Sequence, residues 1–181
     1  MARYCVEWSS LRAVEPSAEE VRAHAALLSS WYNQHRALLT NSSELSAAEV
    51  VERYADLQSR GDRPFLFFSG GELVGDGDLR HIQEGRAEYA VLIGPREQQG
   101  KGLGTQFTRM MLALAFGPLG LRRVFASVLP ENLASLRMFE RAGFRADPSA
   151  EARRYADAAT DLCLSADVAP PLAGLRIDLR E

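Results

Sequence analysis

The sequence predicts an α/β protein in which one mixed sheet is flanked by helices, and three observations carry this. Apolar residues switch between a period of two and a period near 3.6, in the order β-α-α-β-β-β-α-β-α-β, which calls for one sheet with helices packed on its faces. The length of 181 residues suits one domain rather than two, with a core large enough to stand alone. The composition, 46% hydrophobic and 25% charged, is that of an ordinary globular chain and excludes wholesale disorder, a collagen repeat or a coiled-coil rod.

The elements follow in order. Val6 to Val14 reads as a first strand, stopped by Glu15-Pro16-Ser17. Ser17 with Glu20 is a capping-box signature for a helix to about Ser30, and Ser46 with Glu49 repeats it for a second helix to about Ser59. In that second helix Val50, Tyr54 and Leu57 form the apolar face. Between the two lies an irregular piece, Trp31 to Leu45, rich in aromatic and amide side chains. Pro64 to Ser69, Gly70-Gly71 and Glu72 to His81 form a hairpin whose turn has the residues that positive φ requires. Ala87 to Ile93 is a further strand, Gly102 to Phe116 a helix stopped by Gly117-Pro118, and Arg122 to Leu129 a strand. A helix from Asn132 to Ala142 ends at Gly143, a left-handed cap, and Thr160 to Val168 is a strand before Pro170-Pro171. The tail alternates Leu175, Ile177 and Leu179 with Arg176, Asp178 and Arg180, a strand able to pair across a homodimer interface or to close its own sheet edge. One domain is expected over 1–181, with its core at 6–168 and an extension at 169–181.

Composition also narrows function. Lysine plus arginine total 21 against 24 acidic residues, and the net charge of -3 argues against a general nucleic-acid or anionic-membrane binder. No apolar run is long enough to span a bilayer, and Met1 to Ser10 lacks a continuous apolar signal core, so a cytoplasmic protein is expected. Cys5 and Cys163 show no metal or redox spacing, and His24, His35 and His81 are scattered, so no metal is expected. Every basic residue of the Lys/Arg class is arginine except Lys101.

The sharpest feature surrounds that lysine: Gln99-Gly100-Lys101-Gly102-Leu103-Gly104-Thr105, between a strand and a helix. Alternating glycines let backbone approach a ligand, and the unpaired N–H groups of a first helical turn favour phosphate. Spacing excludes a P-loop, because five residues rather than four separate Gly94 from Gly100 and Gly102 stands where the magnesium-binding hydroxyl belongs. A dinucleotide fingerprint fails as well, since Thr105 occupies the third glycine's place. Further on, Asn132, Ser135 and Phe139 fall at i, i+3 and i+7 and share one helix face.

The two motifs, in this order with a strand between them, resemble the GNAT superfamily of acyl-CoA-dependent N-acyltransferases. The loop matches [Q/R]-x-x-G-x-[G/A] at Gln99, Gly102 and Gly104, and the later segment matches N-x-x-[A/S]…G-F at Asn132, Ser135 and Gly143-Phe144. The specific match covers about a third of the chain. More loosely, Leu11 to Glu15 entering a helix, Leu73-Val74-Gly75, and the approach from Ile93-Gly94-Pro95 to Gln99 are similar to the ribosomal-protein-alanine and spermidine acetyltransferase subgroup.

The resemblance implies a mostly antiparallel sheet of about six to seven strands that splays between two parallel strands, here Tyr89 to Ile93 and Val124 to Val128. It implies acetyl-CoA as co-substrate, with its pantetheine arm against the backbone of Leu92 and Ile93 and its pyrophosphate on the amides of Gly100 to Thr105. Gln99, Lys101, Asn132, Ser135 and Arg137 would complete that binding surface. The acceptor would be a primary amine of a small molecule or of a protein N-terminus. Glu88 stands where several relatives carry a base carboxylate. Asp76 and Asp78, alternating with Gly75 and Gly77, share one face, either attracting a cationic amine or forming an ordinary wet surface. Trp31 and Tyr32 either line the acceptor pocket or pack the helices. Many members protonate the departing thiolate with a tyrosine seven residues after the asparagine; this chain has Phe139, which leaves water, Ser135 or Tyr155 as the acid. It also leaves open an acyl-CoA-binding sensor without turnover.

Overall fold

The computed structural model describes residues 2–39 and 43–181. In chain order the strands are β1 (Arg3–Trp8), β2 (Leu11–Val14), β3 (Arg63–Ser69), β4 (Glu72–Gln83), β5 (Arg86–Ile93), β6 (Arg123–Val128), β7 (Arg145–Ala146), β8 (Leu162–Ala166) and β9 (Arg176–Arg180). The helices are α1 (Ala18–Gln34), α2 (Ala47–Ser59), α3 (Leu103–Phe116), α4 (Leu133–Ala142) and α5 (Ala150–Arg153). All nine strands join one sheet in the order β7-β8-β6-β5-β4-β3-β2-β1-β9. Every neighbouring pair is antiparallel except β5 and β6, so the mixed α/β class expected from the sequence holds.

Two strands more than expected arise for local reasons. The run Val6 to Val14 breaks at Ser9-Ser10, where Ser9 takes a φ of 56°, and folds back so that Trp8 faces Leu11. Small polar residues tolerate such a turn, and the alternating pattern on either side conceals it. The two-residue β7 follows Gly143, whose φ of 110° ends α4 and turns the chain onto β8. The tail strand β9 pairs with β1 from Arg3↔Arg180 to Glu7↔Arg176, so it closes the chain's own sheet.

Both capping boxes form: the Ser17 and Ser46 hydroxyls accept from the Glu20 and Glu49 amides, whose carboxylates accept from the serine amides. Helix α1 runs past the expected Ser30 because Trp31 extends its buried row of Val21, Ala25 and Leu28. The start of the expected irregular piece is therefore helical, and its residues 40–42 lie outside the described ones. Strand alternation divides the core. Leu66 packs with α1 and α2, whereas Phe65 and Phe67 join the larger cluster around α3, where Phe67 stacks on Phe107 at 4.4 Å.

One irregularity positions everything that follows. Strands β5 and β6 share only the rungs Arg86↔Arg123, Ala87↔Val124 and Glu88↔Phe125. Beyond them β5 stays with β4 as far as Gly75↔Ile93, while β6 stays with β8 to Val128↔Leu162. The sheet forks at Tyr89.

Candidate active site

The fork opens a cleft. One side is the freed edge of β5 from Tyr89 to Leu92, the other is Ser127, Val128 and Leu129, and Asn132, Ser135 and Phe139 of the α4 segment cover it. Two cavities meet there, sharing Leu38, Leu39, Val91, Leu92, Asn132 and Ser135.

The outer cavity contains the glycine loop. Gly100 and Gly102 adopt φ of 74° and 82°, and the left-handed Gly102 is the N-cap of α3, so the first-turn amides of Leu103, Gly104 and Thr105 lie at the cavity wall. Leu92, Ile93, Gln99 and Gly100 line it from the β5 side, and Asn132, Ser135 and Arg137 from α4. Two of these side groups are already engaged: Gln99 Nε2 donates to the Ile93 carbonyl at 2.9 Å, and Asn132 Oδ1 accepts from the Ser135 amide at 3.2 Å as the cap of α4. Lys101 is exposed and does not line the cavity, in contrast to its expected place on the binding surface.

The loop is braced from α1. His35 Nε2 donates to the Gly94 carbonyl at 2.8 Å, and the Trp31 ring lies where a side chain at Gly94 would stand, 1.9 Å from an ideal Cβ. Trp31 is therefore a packing residue, buried against the loop, and lines neither cavity. Tyr32, its neighbour, does line the inner one.

That inner cavity is acidic and built on β4. Asp76 and Asp78 both reach it, as the alternation with glycine required, and Arg80 is the next residue on the same face. The Tyr32 and Tyr54 hydroxyls, from α1 and α2, both donate to Asp76 Oδ2, the latter at 2.7 Å. Burial pushes the Asp76 carboxyl up to about 6, a rise the two tyrosine donors and Arg53 oppose. Asp78 is likewise raised by burial, with Arg80 at 3.6 Å and Arg53 at 3.9 Å opposing. Desolvation and the Asp76 charge push both tyrosine hydroxyls well above their usual range, so they remain donors at neutral pH.

Glu88 is on the same sheet face as Asp76 and Asp78 but does not line the cavity. Its carboxylate is 1% exposed, sits on the last rung before the fork and is held by Arg80 at 2.7 and 3.0 Å. The strand's alternation is as expected, but the arginine two positions beyond Asp78 takes the glutamate as its partner. Tyr155 is also removed from the reaction region: it stacks on Phe125 at 4.5 Å and lines neither cavity. Phe139 lines the inner cavity, edge-on to Tyr89 with centroids 6.2 Å apart. Ser135 is at the junction of the two cavities.

Several residues in and behind the cleft carry no plain sequence signal. Tyr54, which reaches Asp76 without lining either cavity, reads as part of an apolar helix face, and Asp157 and Ser127 show no local pattern; Arg80 is within reach by extending the 76, 78 alternation one step. Among the described residues no group of three or more His, Cys, Asp or Glu is placed to hold a metal ion.

Comparison with known proteins agrees with this geometry. A family model described as the acetyltransferase (GNAT) domain matches residues 10–145. The probable N-acetyltransferase YjcK of Bacillus subtilis (strain 168) is 37% identical over 99 residues, 52% of this chain and 55% of that protein. Spermidine N(1)-acetyltransferase of Escherichia coli (strain K12) is 25% identical over 124 residues, 67% of this chain and 62% of that protein. The matches thus span little more than half the length of these curated relatives. The solved structure of Mycobacterium smegmatis RimJ in complex with CoA-disulfide has the same fold, with a TM-score of 0.71 at 17% identity over 92% of this chain and 87% of that one.

Proposed function

The chain belongs to the acetyltransferase (GNAT) family, and from that premise we propose that it transfers the acetyl group of acetyl-CoA to a primary amine of a small molecule or protein N-terminus. The observation that carries this is the fork of β5 from β6 directly beside the glycine loop, which joins an anion-binding surface to an acidic cavity through one cleft.

Acetyl-CoA supplies the activated thioester. The amides of the Gly102–Thr105 turn bind its pyrophosphate, since the N-terminus of α3 concentrates unpaired donors and partial positive charge there. The free edge of β5 holds the pantetheine arm as an added strand: the ladder turns the Leu92 backbone toward β4, the Ile93 carbonyl is already occupied by Gln99, and Val91 offers the outward backbone groups. Asp76 draws a cationic amine into the inner cavity, whereas the charge of Asp78 is balanced by Arg53 and Arg80. Phe139 excludes water and supplies no proton. That loss is tolerable, because a thiol of ordinary pKa leaves as thiolate at a cost of about 2 kcal/mol at pH 7. The nucleophile sets the larger demand: an alkylammonium costs about 4.6 kcal/mol to deprotonate at pH 7 and a peptide α-amine roughly 1.4 kcal/mol.

Incubation with acetyl-CoA and a panel of primary amines, read as free-thiol release, tests the proposal. Release with at least one amine is expected. Thermal stabilisation by CoA without release from any amine would instead support the sensor reading, which Phe139 favours.

A further inference from the structure

We propose that Asp76, rather than Glu88, is the catalytic base of this acetyltransferase, and that Tyr32 and Tyr54 are positioning residues that hold its carboxylate toward the cleft. The inference rests on the acetyltransferase reading above. Asp76 is opposite Leu92 in the β4–β5 register, level with the part of β5 that has left β6, whereas Glu88 is on the last shared rung. The two tyrosine hydroxyls converge on Oδ2 from separate helices. Among the described residues both side-chain hydrogen bonds to the Asp76 carboxylate fall on Oδ2 and none on Oδ1, and the residue lines the inner cavity. One oxygen is thus clamped and the other is left to receive a proton.

The other carboxylates are less suited. Glu88 has both oxygens on Arg80 and no access to the cavity. Asp78 is flanked by the Arg53 and Arg80 guanidiniums within 4 Å, which repel an incoming ammonium. Asp76 is faced by Tyr32 from α1, Arg53 and Tyr54 from α2, Asp78 from β4 and Tyr89 from β5, so phenols rather than guanidiniums are its direct partners. Its burial gives it the proton affinity a base needs near neutral pH, in place of a carboxylate's ordinary weak basicity.

In the step itself Asp76 Oδ1 takes one proton from the ammonium. The freed nitrogen pair forms the C–N bond to the thioester carbonyl carbon, and the C–S bond breaks with its electrons on sulfur. The proton that nitrogen sheds on becoming an amide ends on that sulfur, and Asp76 returns its own proton to solvent. The products are the amide, CoA thiol and one proton.

The test compares wild type, Asp76→Asn and Tyr54→Phe, using acetyl-CoA and the best amine of the panel at saturation. For wild type, kcat is expected to fall below a pH of about 6. Asp76→Asn should lower kcat at pH 7 by about 10²-fold or more, retain CoA affinity in calorimetry and melt at least as high as wild type at pH 8. Tyr54→Phe removes a donor that favours the carboxylate, so its acid limb should move to higher pH; this arm decides the matter should the asparagine variant not fold. Activity of Asp76→Asn within a few-fold of wild type, or an acid limb that Tyr54→Phe leaves in place, would overturn the base assignment while the acetyltransferase reading stands. Absence of thiol release by wild type with every amine would overturn that reading, and this proposal with it.

Discussion

Arg80 holds Glu88 through two hydrogen bonds, Nε at 3.0 Å and Nη2 at 2.7 Å, and the same Nη2 reaches Asp157 Oδ2 at 3.1 Å. With Asp78 at 3.6 Å, one guanidinium serves three carboxylates at the base of the fork and ties β4, β5 and the 157 loop together. Removing it strands buried negative charge. Arg80→Met is expected to cost about 3–5 kcal/mol at neutral pH in urea unfolding. Burial already raises Glu88 and Asp78, and without Arg80 both rise further, so the deficit should shrink as pH falls and they take up protons. A deficit independent of pH would mean that Arg80 stabilises by packing alone.

The glycine loop makes a sharper prediction about ligand than about stability. No atom lies within 4 Å of a Cβ built at Gly102, but its φ is +82° and it adjoins the amides assigned to pyrophosphate. Gly102→Glu should fold, with a penalty of about 1–2 kcal/mol for the left-handed backbone, and bring a carboxylate to an anion site. CoA should then give no heat in calorimetry and no rise in melting temperature. Retained affinity would place the pyrophosphate elsewhere.

Gly94 tests the brace. Its Cβ would stand 1.9 Å from Trp31 Cδ2, inside the ring's own volume. Gly94→Ala is expected to cost about 1–3 kcal/mol by overpacking. Trp31→Leu in the same chain should recover part of that cost, leaving a coupling energy in a double-mutant cycle above the roughly 0.5 kcal/mol of independent sites. Additive losses would show that the two residues do not press on each other.

The raised carboxyl of Asp76 also fixes the sign of a stability effect. Its folded value of about 6 exceeds the ordinary 3.8, so the folded state binds the extra proton between those values. The associated stability is present below pH 3.8 and is lost as pH rises to about 6, a loss of roughly 3 kcal/mol in order of magnitude. Asp76→Asn keeps the shape without the charge. It should therefore melt above wild type at pH 8, with the difference vanishing near pH 4. A variant less stable than wild type at pH 8 would make Asp76 a structural link.

The sequence was most informative where structure is local. Ser17 with Glu20, Ser46 with Glu49, Gly70-Gly71 and Gly143 act on groups within a few residues, and each forms the cap or turn its chemistry calls for. The glycine loop was legible for the same reason, since its left-handed turns at Gly100 and Gly102 are properties of its own backbone. Alternation likewise placed Asp76 and Asp78 on one face.

Alternation names a face but not a partner, and the partners decided the site. Glu88 is withdrawn by Arg80, Asp76 is clamped by Tyr32 and Tyr54 from two different helices, and Trp31 is spent on Gly94. The tail strand, equally suited by its pattern to a second copy, instead pairs with β1. By itself the sequence determined most of the elements, the mixed sheet and the loop beside the cleft, but not the break at Ser9-Ser10, β7 or α5. Only the tertiary structure decided which carboxylate is held by phenols and which by a guanidinium, because a buried charge takes its surroundings from the groups brought against it, and for Asp76 those come from residues 22 to 44 positions away in the chain.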